Sequence, residues 1–270
     1  MDTFTQQDPE RQIRLGEDST REFKAEPRPQ MKTYCIVLAS GTGSRFGGDI
    51  PKQFVPVCGR MIIEYTLDAV LRTDTVDELV LVVSEPWRAK METLAEKLRE
   101  TKPVRVVLGG RTRLESCEKG ATAIPDSEAK VLIHNGVQPF VTPKTLAACE
   151  AALNRYDAVT VGSPCVYTVL EVDENRELKR IVRRDRSVND LGPECFKLSF
   201  LRRVLDMAHG DSVATNLTGL VAKHGLGPVY VVDGDPSNTK ITYADDVLFA
   251  EKKFANYRFL ENPDNDSTFN

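Results

Sequence analysis

The feature that most constrains this chain is a regular alternation of strand-like and helix-like segments between residues 32 and 254. Short apolar runs such as 34–38, 78–83, 104–108 and 131–134 alternate with stretches that carry apolar side chains at helical spacing. Such alternation indicates a parallel sheet covered by helices on both faces. We therefore predict an α/β fold with a Rossmann-like, doubly wound and mostly parallel sheet.

The alternation breaks after a strand predicted at 158–161. Two further strand-like runs, 166–172 and 178–182, flank the turn residues 173–176, and this pattern predicts a β-hairpin. We expect an arm over about 165–190 that projects from the sheet and carries a partner contact. Helices are predicted near 196–207, 216–223 and 243–254, with a strand at 229–232.

Polar segments set the expected boundaries of the folded part. Residues 1–30 are polar and charged without periodicity, so we expect a disordered leader, and 256–270 read as a polar tail. The remaining 31–255 are expected to form a single domain.

Composition excludes several classes of partner. A net charge of −4 and a pI near 5.6 argue against a nucleic-acid surface, which is usually basic. No apolar run is long enough to span a bilayer, and the N-terminus does not resemble a signal peptide. The six cysteines show no C-x-x-C pair, so we expect reduced core thiols and a cytoplasmic protein.

The strongest candidate site is the glycine-rich segment 38–45, which follows the first predicted strand. Glycines at the end of a buried strand let several backbone N–H groups approach one anion, and Arg45 and Lys52 add positive charge. The spacing Gly41-x-Gly43-x-x-x-Gly47 is one residue too long for a dinucleotide fingerprint, and no Walker A sequence is present. A phosphate cradle for a triphosphate is the preferred interpretation, and a glycine-rich surface turn is the alternative.

Three other segments are candidates for the same crevice. A glycine turn at 109–116 follows another strand, and the loop 234–242 ends with Lys240 before a helix. The run 179–186 on the hairpin is basic. Taken singly, each is more typical of a structural turn or a solvated face than of a ligand site.

In their order along the chain, these motifs resemble the sugar- and polyol-phosphate cytidylyltransferases, which include methylerythritol phosphate and ribitol-5-phosphate cytidylyltransferases. The resemblance covers about 32–254. The specific matches are 38–47 with Pro51-Lys52-Gln53-Phe54, Gly109-Gly110-x-x-Arg113-x-x-Ser116, Pro193-x-x-Phe196, and Asn238-Thr239-Lys240-Ile241-Thr242 with Asp245-Asp246.

The resemblance implies CTP as substrate, a polyol or sugar phosphate as acceptor, Mg²⁺ held mainly by the CTP phosphates, and a homodimer formed through the hairpin arm. It implies catalytic roles for Arg45 and Lys52 at the triphosphate, for Lys240 at the α-phosphate, and for Arg184, which reaches the acceptor phosphate from the neighbouring subunit. The residues implied to bind the nucleotide are Leu38, Ala39, Ser40, Gly41, Thr42, Gly43, Gly110, Arg113, Ser116, Asn135 and Gly136, and Asn135 is a candidate Mg²⁺ contact.

The chain departs from this family mainly on the acceptor side. Where relatives have His-Asp-Ala/Ser-x-Arg-Pro, it has His134-Asn135-Gly136-Val137-Gln138-Pro139, which removes one carboxylate and one arginine. Tyr167 and Asn216 stand where aspartate is usual, and 192–194 read Gly-Pro-Glu instead of Thr-Pro-Gln.

These patterns support one leading hypothesis and three alternatives. The first is transfer of CMP to D-ribitol 5-phosphate, because 137–140 and 237–242 resemble the ribitol branch. The alternatives are the methylerythritol phosphate activity, a catalytically impaired nucleotide-binding relative, and an NAD-dependent oxidoreductase, against which the glycine spacing argues.

Overall fold

A computed structural model describes residues 31–43, 46–47, 50–208 and 216–261, with side chains described as far as 255. The predicted leader 1–30, most of the predicted tail and Arg45 lie outside these ranges.

The strands alternate with helices along the chain, as the sequence predicts. The strands are β1 (Thr33–Ala39), β2 (Pro56–Val57), β3 (Arg60–Met61), β4 (Glu78–Val83), β5 (Val104–Leu108), β6 (Lys130–Asn135), β7 (Ala158–Pro164), β8 (Leu170–Val172), β9 (Leu178–Ile181), β10 (Val188–Asp190), β11 (Glu194–Lys197) and β12 (Val229–Asp233). The helices are α1 (Ile62–Leu71), α2 (Arg88–Leu98), α3 (Arg113–Thr122), α4 (Pro143–Ala152), α5 (Leu198–Met207), α6 (Leu217–Lys223) and α7 (Asp245–Glu261).

The main sheet is mixed and mostly parallel, which confirms the predicted α/β fold. Its order is β10-β7-β11-β6-β1-β4-β5, and β12 pairs in parallel with β7. The strand β1 lies in parallel between β4 and β6. Two strands run against the others, namely β10 beside β7 and β11 between β6 and β7.

Side chains of the central strand alternate between two apolar cores, one on each face of the sheet. On β1, Cys35 and Val37 pack in the core that α1, α2 and α4 cover, whereas Tyr34 and Ile36 pack in the core that α3, α5 and α6 cover. A third cluster joins α7 to α1 and to the loop after β6. Burial on both faces accounts for the nearly continuous apolar runs in these strands.

The strands β8 and β9 pair antiparallel and form the predicted β-hairpin. Its turn is closed by Asp173, whose Oδ1 accepts hydrogen bonds from the N–H groups of Asn175 and Glu177, both 2.9 Å long. The chain returns from the arm to the main sheet through β10.

Two sequence predictions about element boundaries were wrong. Phe196 was expected to open a helix, but it belongs to β11, and α5 begins at Leu198. The last helix runs to Glu261, so residues 256–261 of the predicted polar tail continue α7.

None of the six cysteines, all of which lie in the described ranges, forms a disulfide, and five are buried. Burial raises the pKa of Cys35 and of Cys117 to about 12, so both thiols stay protonated at neutral pH. The described helices include none with the length and apolar character that a membrane span requires.

His134 on β6 is a buried histidine held neutral by its surroundings. Its Nε2 donates to the carbonyl oxygen of Gln138 over 3.0 Å, because a carbonyl can only accept. Burial lowers the pKa of His134 to about 4, and the charge of Lys240 acts in the same direction.

We predict that His134 makes the folded state lose stability in mild acid. The unfolded chain takes up this proton near pH 6.5 and the folded chain only near pH 4, so stability falls as the pH drops between these values. Between about pH 7.5 and about pH 5, the wild type should lose about 2 kcal/mol more free energy of unfolding than His134→Gln. Urea titrations of both proteins at the two pH values measure the difference, and parallel losses would contradict the assignment.

Candidate active site

The loops after β1, β5 and β6 open at one edge of the sheet and enclose a cavity of about 520 Å³. This volume is within the usual range of small-molecule sites. The predicted site residues that line the cavity are Leu38, Ala39, Ser40, Gly41, Thr42, Gly43, Lys52, Gly110, Arg113, Ser116, Asn135 and Lys240. The structure thus brings together segments that are up to about two hundred residues apart in the sequence.

The glycine-rich loop is held from below by Gln53. The side-chain Nε2 of Gln53 donates to the carbonyl oxygens of Ala39 at 2.7 Å and Gly41 at 2.8 Å, and the residue is 2% exposed. Gly43 has a φ of +74° and lies against the backbone N of Lys52, so a side chain there would be strained. The amide of Gln53 and the conformation of Gly43 together set the path of the loop toward Lys52.

Ser116 joins the first glycine-rich loop to the second. Its hydroxyl donates to the Thr112 carbonyl over 2.9 Å and accepts from the Gly110 N–H over 3.0 Å. Because that proton is committed, the hydroxyl of Ser40, 3.0 Å away, donates to Ser116. A Cβ at Gly110 would lie 2.1 Å from that of Glu115, so no other residue fits this turn.

Arg113 is anchored on the cavity wall by a buried carboxylate. Its Nη2 donates to Oε2 of Glu194. Burial is the largest single effect and opposes the charge on the guanidinium, but the charge and hydrogen bond of Glu194, together with Cys117 and Asp190, raise the pKa of Arg113.

Asn135 and Gln138, which stand where the family pattern has an aspartate and an arginine, contact each other. Nε2 of Gln138 donates to the carbonyl of Leu191 over 2.8 Å, so its Oε1 must accept, and Nδ2 of Asn135 donates to it. This arrangement leaves Oδ1 as the acceptor that Asn135 can present to the cavity. The neutral amides therefore form a matched pair in place of a carboxylate and an arginine.

Lys240 reaches the cavity on a loop that is fixed at several points. The N–H of Ile241, a residue that is 1% exposed, donates to the Val137 carbonyl over 2.9 Å. Nζ of Lys253 on α7 donates to the Ser237 carbonyl over 3.1 Å. The loop is thereby packed against both the segment after β6 and the last helix.

The cavity wall has a strongly positive balance. Lys52, Arg111, Arg113 and Lys240 contribute cations, and the lining residues within the described ranges include no carboxylate. Such a wall suits a polyanionic ligand.

Two of the predicted residues that the structure describes do not line this cavity. Arg184 lies on the arm, where its Nη1 donates to the Val166 carbonyl over 3.2 Å. Gly136 lies beneath the site, and its N–H donates to the Leu38 carbonyl over 2.9 Å. Arg45 belongs to the residues that the structure does not describe.

Sequence reasoning missed several residues that shape the site. Gln53, Gln138 and Glu194 were part of quoted motifs but were given no function. Their amide and carboxylate groups in otherwise buried surroundings are the signal that could have pointed to them. Ser84, Arg111, Thr112 and Val137 also line the cavity.

Comparison with known proteins identifies a family that matches most of this chain. Residues 33–255 match the family described as IspD: 2-C-methyl-D-erythritol 4-phosphate cytidylyltransferase. A 2-C-methyl-D-erythritol 4-phosphate cytidylyltransferase of Bifidobacterium longum is 35% identical over 240 residues, which are 84% of this chain and 82% of that protein.

A second relative is named for a different product, CDP-ribitol. The bifunctional ribulose 5-phosphate reductase/CDP-ribitol pyrophosphorylase Bcs1 of Haemophilus influenzae is 31% identical over 228 residues. The match covers 83% of this chain, which spans about half (48%) of that protein.

A solved structure shows the same architecture. The 4-diphosphocytidyl-2C-methyl-D-erythritol synthase of Anaerococcus prevotii superimposes with a TM-score of 0.75 at 27% identity, covering 83% of this chain and 96% of that one. With the family match, the cavity and its loops lead to one conclusion: this chain belongs to the IspD family of cytidylyltransferases.

Proposed function

We propose that this protein transfers CMP from CTP to a polyol phosphate and releases pyrophosphate. The observation that carries the proposal is the single cavity in which both glycine-rich loops meet Lys52, Arg113 and Lys240 in a member of this family. Among the described residues the cavity wall carries cations and no carboxylate, which suits the triphosphate, and Ser40 and Ser116 supply hydroxyls beside it.

The proposed chemistry is an in-line displacement at the α-phosphorus of CTP. An oxygen of the acceptor phosphate forms the new P–O bond as the bond to the β-phosphate oxygen breaks, and pyrophosphate leaves with the electron pair. The attacking oxygen is already ionised, so no general base is required. The chain contributes positioned charge: Lys52 and Arg45 at the departing pyrophosphate, and Lys240 at the α-phosphate.

We propose Mg²⁺ as the accompanying ion, held mainly by the CTP phosphates. The described residues include no group of three or more metal-ligating side chains that could hold an ion, and the lining oxygens are neutral. This donor set fits Mg²⁺, which keeps several waters and binds substrate phosphates, with Oδ1 of Asn135 as the protein group available to it. When bound, the ion would neutralise charge on the phosphates.

We propose 2-C-methyl-D-erythritol 4-phosphate as the acceptor. The family description and the Bifidobacterium relative support this acceptor better than D-ribitol 5-phosphate, which the sequence patterns favoured. Ribitol is supported by the Haemophilus relative, of which this chain spans about half.

We also propose that the arm pairs with a second copy of the chain. Apolar side chains are exposed along it, with Tyr167 at 83% and Ile181 at 62%. Several exposed large apolar side chains on one segment favour an interaction site there. In this dimer, Arg184 would serve the cavity of the neighbouring subunit.

The primary test is pyrophosphate release from CTP and Mg²⁺ with each acceptor in turn. We expect release with 2-C-methyl-D-erythritol 4-phosphate, and loss of about 10²- to 10⁴-fold in kcat for Lys52→Ala or Arg45→Ala, because each removes charge that acts on the transition state.

Lys97→Ala on the exposed side of α2 is the matched control and should retain the wild-type rate. CTP binding by calorimetry without release for any acceptor would instead favour an impaired, nucleotide-binding family member, for which the neutral Asn135–Gln138 pair is the motivating observation.

A second prediction concerns the Asn135–Gln138 pair. Asn135→Asp alone would place a carboxylate oxygen against Oε1 of Gln138, whose amide is oriented by the Leu191 carbonyl. We expect Asn135→Asp to lower kcat/KM, and the double variant Asn135→Asp/Gln138→Arg to recover about tenfold relative to it.

Steady-state kinetics of the two single variants and the double variant measure this coupling. Additive effects of the two substitutions would show that the pair does not act as a unit.

A third prediction uses the shared site of the proposed dimer. Arg184→Ala and Lys52→Ala should each be inactive, yet an equimolar mixture should regain about a quarter of the wild-type activity. Half of the randomly formed dimers are then mixed, and one of their two sites is intact.

The measurement is pyrophosphate release before and after subunit exchange, with sedimentation to confirm dimers. Tyr167→Asp/Ile181→Asp should abolish both the dimer and the regained activity. A mixture that stays inactive while the subunits exchange would place Arg184 in its own subunit's site or outside any site.

A further inference from the structure

Glu194 is a buried carboxylate that does not line the cavity but controls a residue that does. It opens β11 at the register position opposite Ile133 of β6, and its side chain is 4% exposed. Arg113, whose side chain is 26% exposed, reaches it from the start of α3. The carboxylate therefore lies behind the guanidinium as seen from the cavity.

The two oxygens of Glu194 serve different elements. Oε2 accepts from Nη2 of Arg113. Oε1 accepts from the first N–H groups of α6, those of Leu217 and Thr218, and from the Thr218 hydroxyl at 3.4 Å. The side chain of Glu194 thus joins Arg113 on the cavity wall to the beginning of α6.

The first turn of α6 is also held by Asn216, the residue that precedes the helix. Asn216 caps the helix by accepting from the Gly219 N–H over 2.6 Å, and its Nδ2 donates to Asp190 over 3.1 Å. The helix end that holds Glu194 is therefore itself tied to β10.

Only a carboxylate can accept hydrogen bonds both from Arg113 and from the beginning of α6. A buried charge is tolerated when donors surround it, and here a guanidinium, two backbone N–H groups and a hydroxyl do so. A glutamine could still accept from α6, but its Nε2 would then face the guanidinium, donor against donor. Arg113 would lose its anchor while the rest of the pocket remained in place.

We propose that Glu194 is the positioning residue for Arg113, so that nucleotide affinity depends on a carboxylate outside the cavity that also secures α6. This assignment rests on the proposed function, because the position of Arg113 is tested through its effect on CTP binding.

The test is a double-mutant cycle on CTP binding, measured by calorimetry on the full chain and by steady-state kinetics. Glu194→Gln should weaken CTP affinity about tenfold or more and raise its KM, with kcat within about threefold of the wild type. In an Arg113→Gln background the same change should alter affinity less than about threefold. Glu194→Asp, which keeps the charge but withdraws it by one methylene, should show the same selective loss with less effect on folding.

Glu78→Gln is the matched control. Glu78 is a buried carboxylate paired with Arg105, and it opens β4 at the edge of the sheet opposite the cavity. Its substitution should lower the Tm and leave CTP affinity unchanged.

Two results would overturn the assignment alone: CTP affinity unaffected by Glu194→Gln, or an equal loss in both backgrounds, which indicates a general structural effect. A wild-type chain that binds no CTP overturns the proposed function and this assignment with it.

Discussion

The parallel placement of β1 between β4 and β6 is the constraint on which the rest of the structure depends. Ala39 lies opposite Val83, and Leu38 lies opposite Asn135, so the chain leaves these strands at nearly the same level. Val83 in turn pairs with Leu108, which brings the loop at Gly109 to the same edge. A parallel sheet gathers its carboxyl ends in this way, and the cavity is the space between the loops that follow.

One part of the cavity wall is cationic, and another part is formed by neutral amides. Beside the glycine-rich loops, Lys52, Arg113 and Lys240 face a space without lining carboxylates among the described residues, and Arg113 is paired with the buried Glu194. In the loop after β6, Asn135 and Gln138 stand where the family pattern has an aspartate and an arginine, and they make a neutral hydrogen bond with each other. A neutral pair has no buried charge to desolvate, but it recognises a ligand through hydrogen bonding alone. The Leu191 carbonyl sets the orientation of the amides, because it accepts from Nε2 of Gln138.

Sequence reasoning found the parts of the fold whose signal is local. The buried strands, most helices and the hairpin arm follow from periodicity and turn residues, and the cavity-lining glycines follow from motifs. It failed at β11, where Phe196 was assigned to a helix, because a four-residue strand between β6 and β7 is defined by its neighbours and not by its own composition. The short strand β10 was missed for the same reason.

The sequence by itself determined the fold class, the family resemblance and most of the cationic residues that line the cavity, since each depends on residue type and short-range spacing. Only the tertiary structure decided how those residues are held. Gln53 beneath the first loop, Gln138 beside Asn135 and Glu194 behind Arg113 act through contacts between segments that are between three and eighty-one residues apart. A hydrogen bond between segments depends on the relative position of two backbones, and the packing of the sheet and helices sets that position.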